Sequence, residues 1–576
     1  MASRRRVFGL IVVLLVLGAV ALAAVSRTRR PLRVPTEHQV LVYDVPSSIE
    51  EAPASYLPFS LASFRRDQPS LREICDGIER AADDDAIDAL VLHVGEVDWG
   101  WARVAEFRDA LREFRSRDKP VHVSLSGGGE QSFLLATAAD LIAMPETAIL
   151  QLDGLTLSAM FLRGTYDKLG ITPNFASVGE FKSAVETYTR TGFSPPAREA
   201  LESLLDDQFG LLVDSLAAGR GLAPDSMRRL IDQGPFTAQA ALRAGLLDTL
   251  LDEPGLDAVA ADAGGRRLGT TQLTRYAAGG EGTLGETEIA LVVASGAIVP
   301  GRSHDSPWSG EMCGSETVVG ALRDARNRRA VKAIILRVDS PGGSGQASDD
   351  IWQEVRRARA RKPVIVSMSN LAASSGYYIA CGADRIVAEP STITGSIGVF
   401  GGKLNLLGLY QKLGLNIETT SRGRNAEMLS PFRDFTPEEH ARYQSQLDDF
   451  YRVFLARVAE GRGMTAAMAD SLGRGRVWSG VSAQRFGLVD TLGGMRTALG
   501  VARERAGLGK DEAVRLEVYP RPRRTFLRTF LEGLVEDPNE DSGVAALSPV
   551  FAAWLAASKF PAGATLALLP YTLEFR

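Results

Sequence analysis

Small hydroxyl and glycine residues gather at three places where this chain could do chemistry. Ser340-Pro341-Gly342-Gly343 follows an apolar run over 333–339, and Ala372-Ala373-Ser374-Ser375-Gly376-Tyr377 follows a second over 363–368; Thr392-Ile393-Thr394-Gly395-Ser396-Ile397-Gly398 comes close behind. Strand ends rich in glycine and serine leave backbone amides able to point at a ligand, so they could assemble a nucleophile beside an oxyanion hole. A serine hydroxyl is a weak nucleophile until a neighbouring base takes its proton. The five histidines (His38, His93, His122, His304, His440) are scattered singly, none near these segments, and no G-x-S-x-G elbow occurs. A lysine can take the role when burial disfavours its ammonium. Lys182, between Phe181 and Ala184-Val185, has the partly apolar setting that this requires. Taken singly these residues have plainer readings: Lys182 as a surface lysine, Gly342-Gly343 as a tight turn, Ser396 as a cap. Asp339 and Glu186 read as ion-pair or turn residues.

The elements that must position these groups follow an α/β pattern, with short β-branched runs alternating with charged helical stretches. Strands are expected near 40–43, 89–94, 121–125, 141–144 and 149–152, and helices over 70–83, 101–117 and 197–219. The same order returns roughly 245 residues later, the spacing expected of two tandem copies of one unit. Residues 88–94 match 332–338, 119–124 match 362–367, 139–143 match 383–387, and 241–248 match 483–490. The copies differ where chemistry is at stake. The first has Val94-Gly95-Glu96-Val97 in place of the glycine turn and Gly129-Glu130-Gln131 in place of the Ser374 segment. It alone carries Gly179-Glu180-Phe181-Lys182-Ser183-Ala184, against Gly423-Arg424-Asn425-Ala426-Glu427 in the second. Each half holds one part of a site.

Composition narrows the classes further. A chain of 576 residues, 45% hydrophobic and 23% charged, is globular and long enough for several cores. A net charge of -5 without a basic, aromatic-interleaved stripe excludes a nucleic-acid binder. Cys75, Cys313 and Cys381 form no CxxC pair and no ligand set, so neither a disulfide framework, a metal site nor a cofactor is expected. Residues 7–25 are uncharged and apolar, flanked by Arg4-Arg5-Arg6 and by Arg27, Arg29 and Arg30. That run just spans a bilayer and reads as a signal anchor. A cleaved signal peptide, with Ala21-Leu22-Ala23 as its site, is the alternative. Arginines on both flanks leave its orientation undecided. Beyond 520 an amphipathic stretch, 526–534, leads into an Ala/Leu-rich run to Pro570 that suggests no chemistry of its own.

Four ordered motifs now stand together: Gly-x-Phe-Lys182-Ser-Ala-x-Glu186, Asp339-Ser-Pro-Gly-Gly343, Ala-Ala-Ser374-x-Gly-Tyr377 and Ser391-Thr-Ile-Thr-Gly-Ser-Ile-Gly398. Together they resemble the signal peptide peptidase A (protease IV) family in its long, two-domain form, over residues 40 to about 510. The resemblance implies a membrane-anchored Ser-Lys serine protease that degrades cleaved signal peptides and other apolar or unfolded peptides. The implied fold is α/β, two tandem Clp protease/crotonase-like domains (ββα superhelix) after an N-terminal transmembrane helix. The divisions are a signal anchor over 1–30, a Lys-bearing domain over 31–284, a Ser-bearing domain over 285–515 and a tail over 516–576. Carried over by motif, Ser374 is the nucleophile, Lys182 the general base, Ser396 the residue that holds the lysine, and the amides of Gly343 and Ser375 the oxyanion hole. The family has glycine after the nucleophile; here Ser375 puts a second hydroxyl beside the first. A homotetramer in a bacterial inner membrane, crossing once with its catalytic domains on the extracytoplasmic side, is implied by the resemblance alone. A catalytically silent membrane scaffold and a crotonase-type acyl-CoA enzyme are the competing readings.

Overall fold

The computed structural model describes residues 38–51, 69–263, 266–279, 287–306, 310–509, 512–520 and 565–568. The apolar run 7–25 and the amphipathic stretch 526–534 lie outside them. Among the described residues no helix is long and apolar enough to cross a membrane.

The first unit opens with β1 (Gln39–Val45), α1 (Leu71–Ala82), β2 (Ile87–Val94), α2 (Trp101–Arg115), β3 (Val121–Leu125), α3 (Glu130–Ala136) and β4 (Leu141–Met144). Ser70 starts α1 through a capping box with Glu73, which satisfies two amides that a helix end otherwise leaves without partners. The strands β1 to β4 are parallel neighbours in one sheet, widened at its edges by the short segments Gly269–Gln272 and Thr249–Leu250. Further along, β5 (Thr172–Val178) leaves this sheet altogether, and α4 (Pro195–Arg220) follows it.

The second unit repeats the plan with β6 (Thr287–Ser295), β7 (Ala297–Val299), β8 (Val331–Ser340), β9 (Gly342–Ser344), α5 (Gly345–Arg359), β10 (Val364–Ala373) and α6 (Ser375–Ala380). It closes with β11 (Ile393–Gly395), β12 (Val399–Asn405), α7 (Pro437–Arg462), β13 (Val477–Ser479) and β14 (Val514–Tyr519). The sheet order is β13-β11-β10-β8-β6-β14, parallel except for the β11–β13 pair. Central parallel strands covered on both faces read as almost unbroken apolar runs, which is why 333–338 and 364–368 stand out in the sequence. Ile334, Leu336 and Val338 face one core, Ala333 and Ile335 the other. Strand β14 carries this sheet past the boundary expected at 515, because Val514, Leu516 and Val518 alternate onto the second face.

A third sheet joins the halves. Strand β5 of the first unit pairs antiparallel with β12 of the second along its whole length, Thr172↔Asn405 to Val178↔Val399. The same sheet holds β7, β9 and a last strand, β15 (Leu566–Leu568).

Buried charge fixes how the two units meet. Arg337, 1% exposed on the second face of β8, donates to Glu51 at 2.5 Å and to Glu106 at 2.6 Å. Arg103 bridges Glu51 and Asp339, and Ser369 Oγ donates to Glu51 at 2.7 Å. Burial alone would raise the Glu51 carboxyl, but the charges of Arg337 and Arg103 overcome it and hold the group at about 2. Asn370 completes the junction, accepting from the Ala102 amide at 3.1 Å and donating to the Trp99 carbonyl at 2.7 Å.

Candidate active site

Strand β10 ends at Ala373 and the chain turns directly into α6, so Ser374 stands at the corner with φ 55° and ψ −112°. A non-glycine residue in that region costs about 1–3 kcal/mol and persists only where its surroundings over-determine it. Here they do. The Ser374 amide donates to the Gly395 carbonyl at 2.8 Å, its carbonyl accepts from the Tyr378 amide at 2.8 Å, and every residue of α6 is buried. Tyr378 packs its ring 4.8 Å from Phe454 and 5.9 Å from Phe450 on α7. That helix is itself well specified, with Pro437 in its first turn, a Thr436/Glu439 capping box and a left-handed Gly463 at its end.

Lys182 arrives from the other half. After β5 the chain makes a tight turn, in which the Phe181 amide donates to the Arg474 carbonyl at 2.9 Å and the Lys182 amide to the Gly179 carbonyl at 3.1 Å. The lysine, 2% exposed, places Nζ 2.8 Å from Ser374 Oγ and donates to Ser396 Oγ at 3.0 Å and to the Ser396 carbonyl at 3.2 Å. Burial pushes its ammonium well below the usual lysine range. A neutral amine in hydrogen-bond contact with a serine hydroxyl can accept its proton. Ser396, itself at φ 49°, is pinned by its amide to the Arg476 carbonyl at 2.7 Å.

Gly343 lies on β9, against β7 in register with Ile298. A side chain there would bring a Cβ to within 2.1 Å of the Ile298 carbonyl, so only glycine lets these strands approach. Ser375 heads α6, and its Oγ donates to the Gly343 carbonyl at 3.3 Å. The second hydroxyl of the Ser374-Ser375 pair is therefore directed at β9 and ties together the two segments that carry the expected oxyanion amides. The Ser374 amide itself is engaged by the Gly395 carbonyl. All five residues singled out in the sequence thus meet in one place. Asp339 and Glu186 are engaged elsewhere: Asp339 with Arg103 and the Leu371 amide, Glu186 with the Ser194 amide and hydroxyl.

The model of peptidase family S49 matches residues 113–263 and 356–509, more than half of the sequence. The chain belongs to peptidase family S49. This S49 chain is 33% identical over 474 residues to the chloroplastic serine protease SPPA of Arabidopsis thaliana, covering 81% of this chain and 70% of that protein. It is 32% identical over 465 residues to Protease 4 of Salmonella typhi, covering 78% and 74%. It is a serine peptidase of that family in its long, two-unit form. Lys182 falls in the first matched segment and Ser374, Ser375 and Ser396 in the second, whereas Gly343 precedes the second.

In the first unit Glu130 opens the helix that corresponds to α6. Its carboxylate is committed to the amides of Asp153 and Gly154 at 3.0 and 2.9 Å, so that corner holds no hydroxyl nucleophile. The Gly473-Arg474-Gly475-Arg476 loop, absent from the residues singled out in the sequence, seats both Lys182 and Ser396. Its signal was the alternation of glycine and arginine just before β13.

Proposed function

We propose that this peptidase is a membrane-anchored endopeptidase in which Ser374 is the nucleophile and Lys182 the general base. The observation that carries the reading is the 2.8 Å contact between Lys182 Nζ and Ser374 Oγ in a buried setting. As Ser374 Oγ bonds to the scissile carbonyl carbon, its proton passes to neutral Lys182. The developing oxyanion takes hydrogen bonds from the amides of Gly343 and Ser375, each worth about 3–4 kcal/mol in comparable sites. The lysine ammonium then protonates the leaving amine, the C–N bond breaks, and a water repeats the sequence to release the acyl group. Ser396 keeps the amine aimed at Ser374 in both steps.

The substrates we assign are cleaved signal peptides and other apolar or unfolded peptides, in keeping with the relatives' names and with an apolar anchor over 7–25 that would hold the protein beside them. Parallel sheets with helical crossovers support a Clp protease/crotonase-like superhelix for each unit. The family resemblance favours a homotetramer in a bacterial inner membrane with its catalytic units on the extracytoplasmic side. The test is hydrolysis of an internally quenched apolar peptide by the full chain and by Ser374→Ala and Lys182→Met. Activity should vanish in both variants while folding persists; a variant that keeps wild-type kcat sinks the dyad. Light scattering of the detergent-extracted chain decides the oligomer.

A further inference from the structure

Arg476 contributes more than the carbonyl that receives the Ser396 amide. Its guanidinium Cζ lies 4.9 Å from the ring centroid of Phe181 and 4.8 Å from that of Trp478, within the range where a ring face attracts a cation. Nη1 donates to Glu199 of α4 at 2.6 Å, and the arginine side chain is 19% exposed against 61% for the glutamate. Phe181 and Glu199 belong to the first unit, Arg476 and Trp478 to the second. Trp478 is a fixed platform, because its Nε1 donates to the Leu472 carbonyl at 2.9 Å and its ring sits 4.7 Å from that of Phe486. Phe181 immediately precedes Lys182 and packs against the apolar cluster of Ala200, Leu204, Ala373, Ile393 and Val477, which includes the residue before the nucleophile. Its ring is therefore part of the apolar wall beside the dyad.

We propose that the Arg476 side chain is a positioning residue for the base: it clamps Phe181 to Trp478 and α4 across the two units, and so closes the apolar wall beside Lys182 against water. The proposal rests on the dyad reading above, because it needs Lys182 to be the proton acceptor. Arginine suits the task. Its planar guanidinium can lie on aromatic faces and bond a carboxylate in one geometry, whereas a lysine ammonium is a compact, strongly hydrated charge. The other charged side chains around the turn have partners of their own: Arg474 donates to Asp470 at 3.0 Å and to Glu180 at 3.4 Å, and Glu186 is held by Ser194. With the clamp open, water reaches Lys182 and favours its ammonium. The amine then stays protonated up to a higher pH, so the enzyme loses rate at low pH and regains it in alkali.

The test is the pH profile of kcat/KM, which reports the free enzyme's essential groups, on an internally quenched apolar peptide. It uses the full chain and its Arg476→Met, Arg476→Lys and Arg496→Met variants, each corrected for folded fraction by urea unfolding. Arg476→Met should move the midpoint of the rising limb up by about one pH unit, a roughly tenfold loss below the midpoint and none above it. Arg476→Lys keeps the charge but not the stack and should move the midpoint in the same direction. Arg496→Met breaks another pair between the units, Arg496 Nη1 to Glu113 at 2.9 Å, and should leave the profile unchanged. An unmoved midpoint in both Arg476 variants overturns the proposal, as does the same shift in Arg496→Met, or an equal loss at every pH, the mark of a purely structural role. A midpoint moved in Arg476→Met alone assigns the effect to charge and likewise overturns the clamp; where the methionine variant does not fold, the lysine variant decides. Ser374→Ala and Lys182→Met run alongside. Wild-type turnover in either discards the dyad, whereas inactivity of both with unmoved Arg476 midpoints discards only the clamp.

Discussion

Replacing Gly475 tests whether the position of Lys182, rather than its presence, sets the rate. A Cβ at 475 would lie 2.4 Å from the Lys182 amide nitrogen, 2.5 Å from its Cα and 2.6 Å from its Cβ. Ordinary van der Waals contact begins at 3.4 Å, so Gly475→Ala must push the lysine backbone by about 1 Å. If that shift reaches Nζ, the 2.8 Å contact with Ser374 lengthens beyond hydrogen-bond range. Misplacement on that scale costs about 10²-fold in kcat, or about 2.7 kcal/mol of transition-state stabilisation. Gly475 also sits at φ +84°, so alanine adds a backbone penalty of about 1–2 kcal/mol unrelated to the lysine. Gly463→Ala isolates that second part, since Gly463 has φ +63° and open space around its Cβ position. Measured on a quenched peptide with urea unfolding alongside, Gly463→Ala should lose only the backbone penalty, and Gly475→Ala that penalty plus about 1–3 kcal/mol for the overlap. Only Gly475→Ala should lose kcat, with KM little changed. A Gly475→Ala enzyme within threefold of wild-type kcat refutes the reasoning.

Four further outcomes follow from the same geometry. Ser375→Ala removes one neutral hydrogen bond, to the Gly343 carbonyl at 3.3 Å, and should lower kcat about fivefold, whereas Ser374→Ala abolishes turnover; the opposite pattern makes Ser375 the nucleophile. Lys182 acts as a base only when neutral, so kcat/KM should rise with pH through its depressed pKa and then level off. Stability moves in the same direction: burial lowers the folded-state value while the unfolded lysine stays near ~10.4, so the unfolded chain binds the extra proton between the two and stability climbs with pH across that window. Lys182→Met should flatten that slope in urea unfolding, and equal slopes would contradict the burial argument. Arg337→Met leaves Glu51 and Glu106 buried without their main cation and should cost about 3–5 kcal/mol; a loss under 1 kcal/mol would show that the two units do not depend on this pair.

The parts legible in the sequence were those with a local signature. Strands covered on both faces announced themselves as apolar runs, and the 245-residue recurrence exposed the duplication even where the copies had diverged. Lys182 was another matter: Phe181 and Ala184-Val185 give it a partly apolar setting that a surface lysine can also have, and the motif order picked it out. Its seat comes from Arg474 and Gly475, nearly three hundred residues on, and from β12, so the cause of its depressed pKa lies wholly in tertiary contacts. Arg337 shows the same limit, because an arginine inside an apolar strand signals a buried pair without naming its partners, and Glu51 stands 286 residues away. The strand at 566–568 was illegible for a further reason. Its place depends on main-chain hydrogen bonds to β9, which any short uncharged segment could make.

The division of the dyad between two units makes strand register part of the catalytic apparatus. Lys182 follows β5 by four residues, and β5 is fixed by seven paired residues against β12, whose first residue, Val399, follows Ser396 by three. A slip of one residue would carry Lys182 about 3.4 Å along the strand and reverse which face each β5 side chain presents, so the contact with Ser374 would be lost outright. Pairing between strands of separate units does not by itself exclude such slips. The docking charges do. Arg337 and Arg103 meet Glu51, Glu106 and Asp339 with buried, directional bonds that a shifted interface would leave unpaired, at several kcal/mol for each stranded charge. The network sits on the far face of the strand that ends in the Ser340-Pro341-Gly342-Gly343 turn, so the contacts that lock the two units together also fix the end of β8 from which that turn departs.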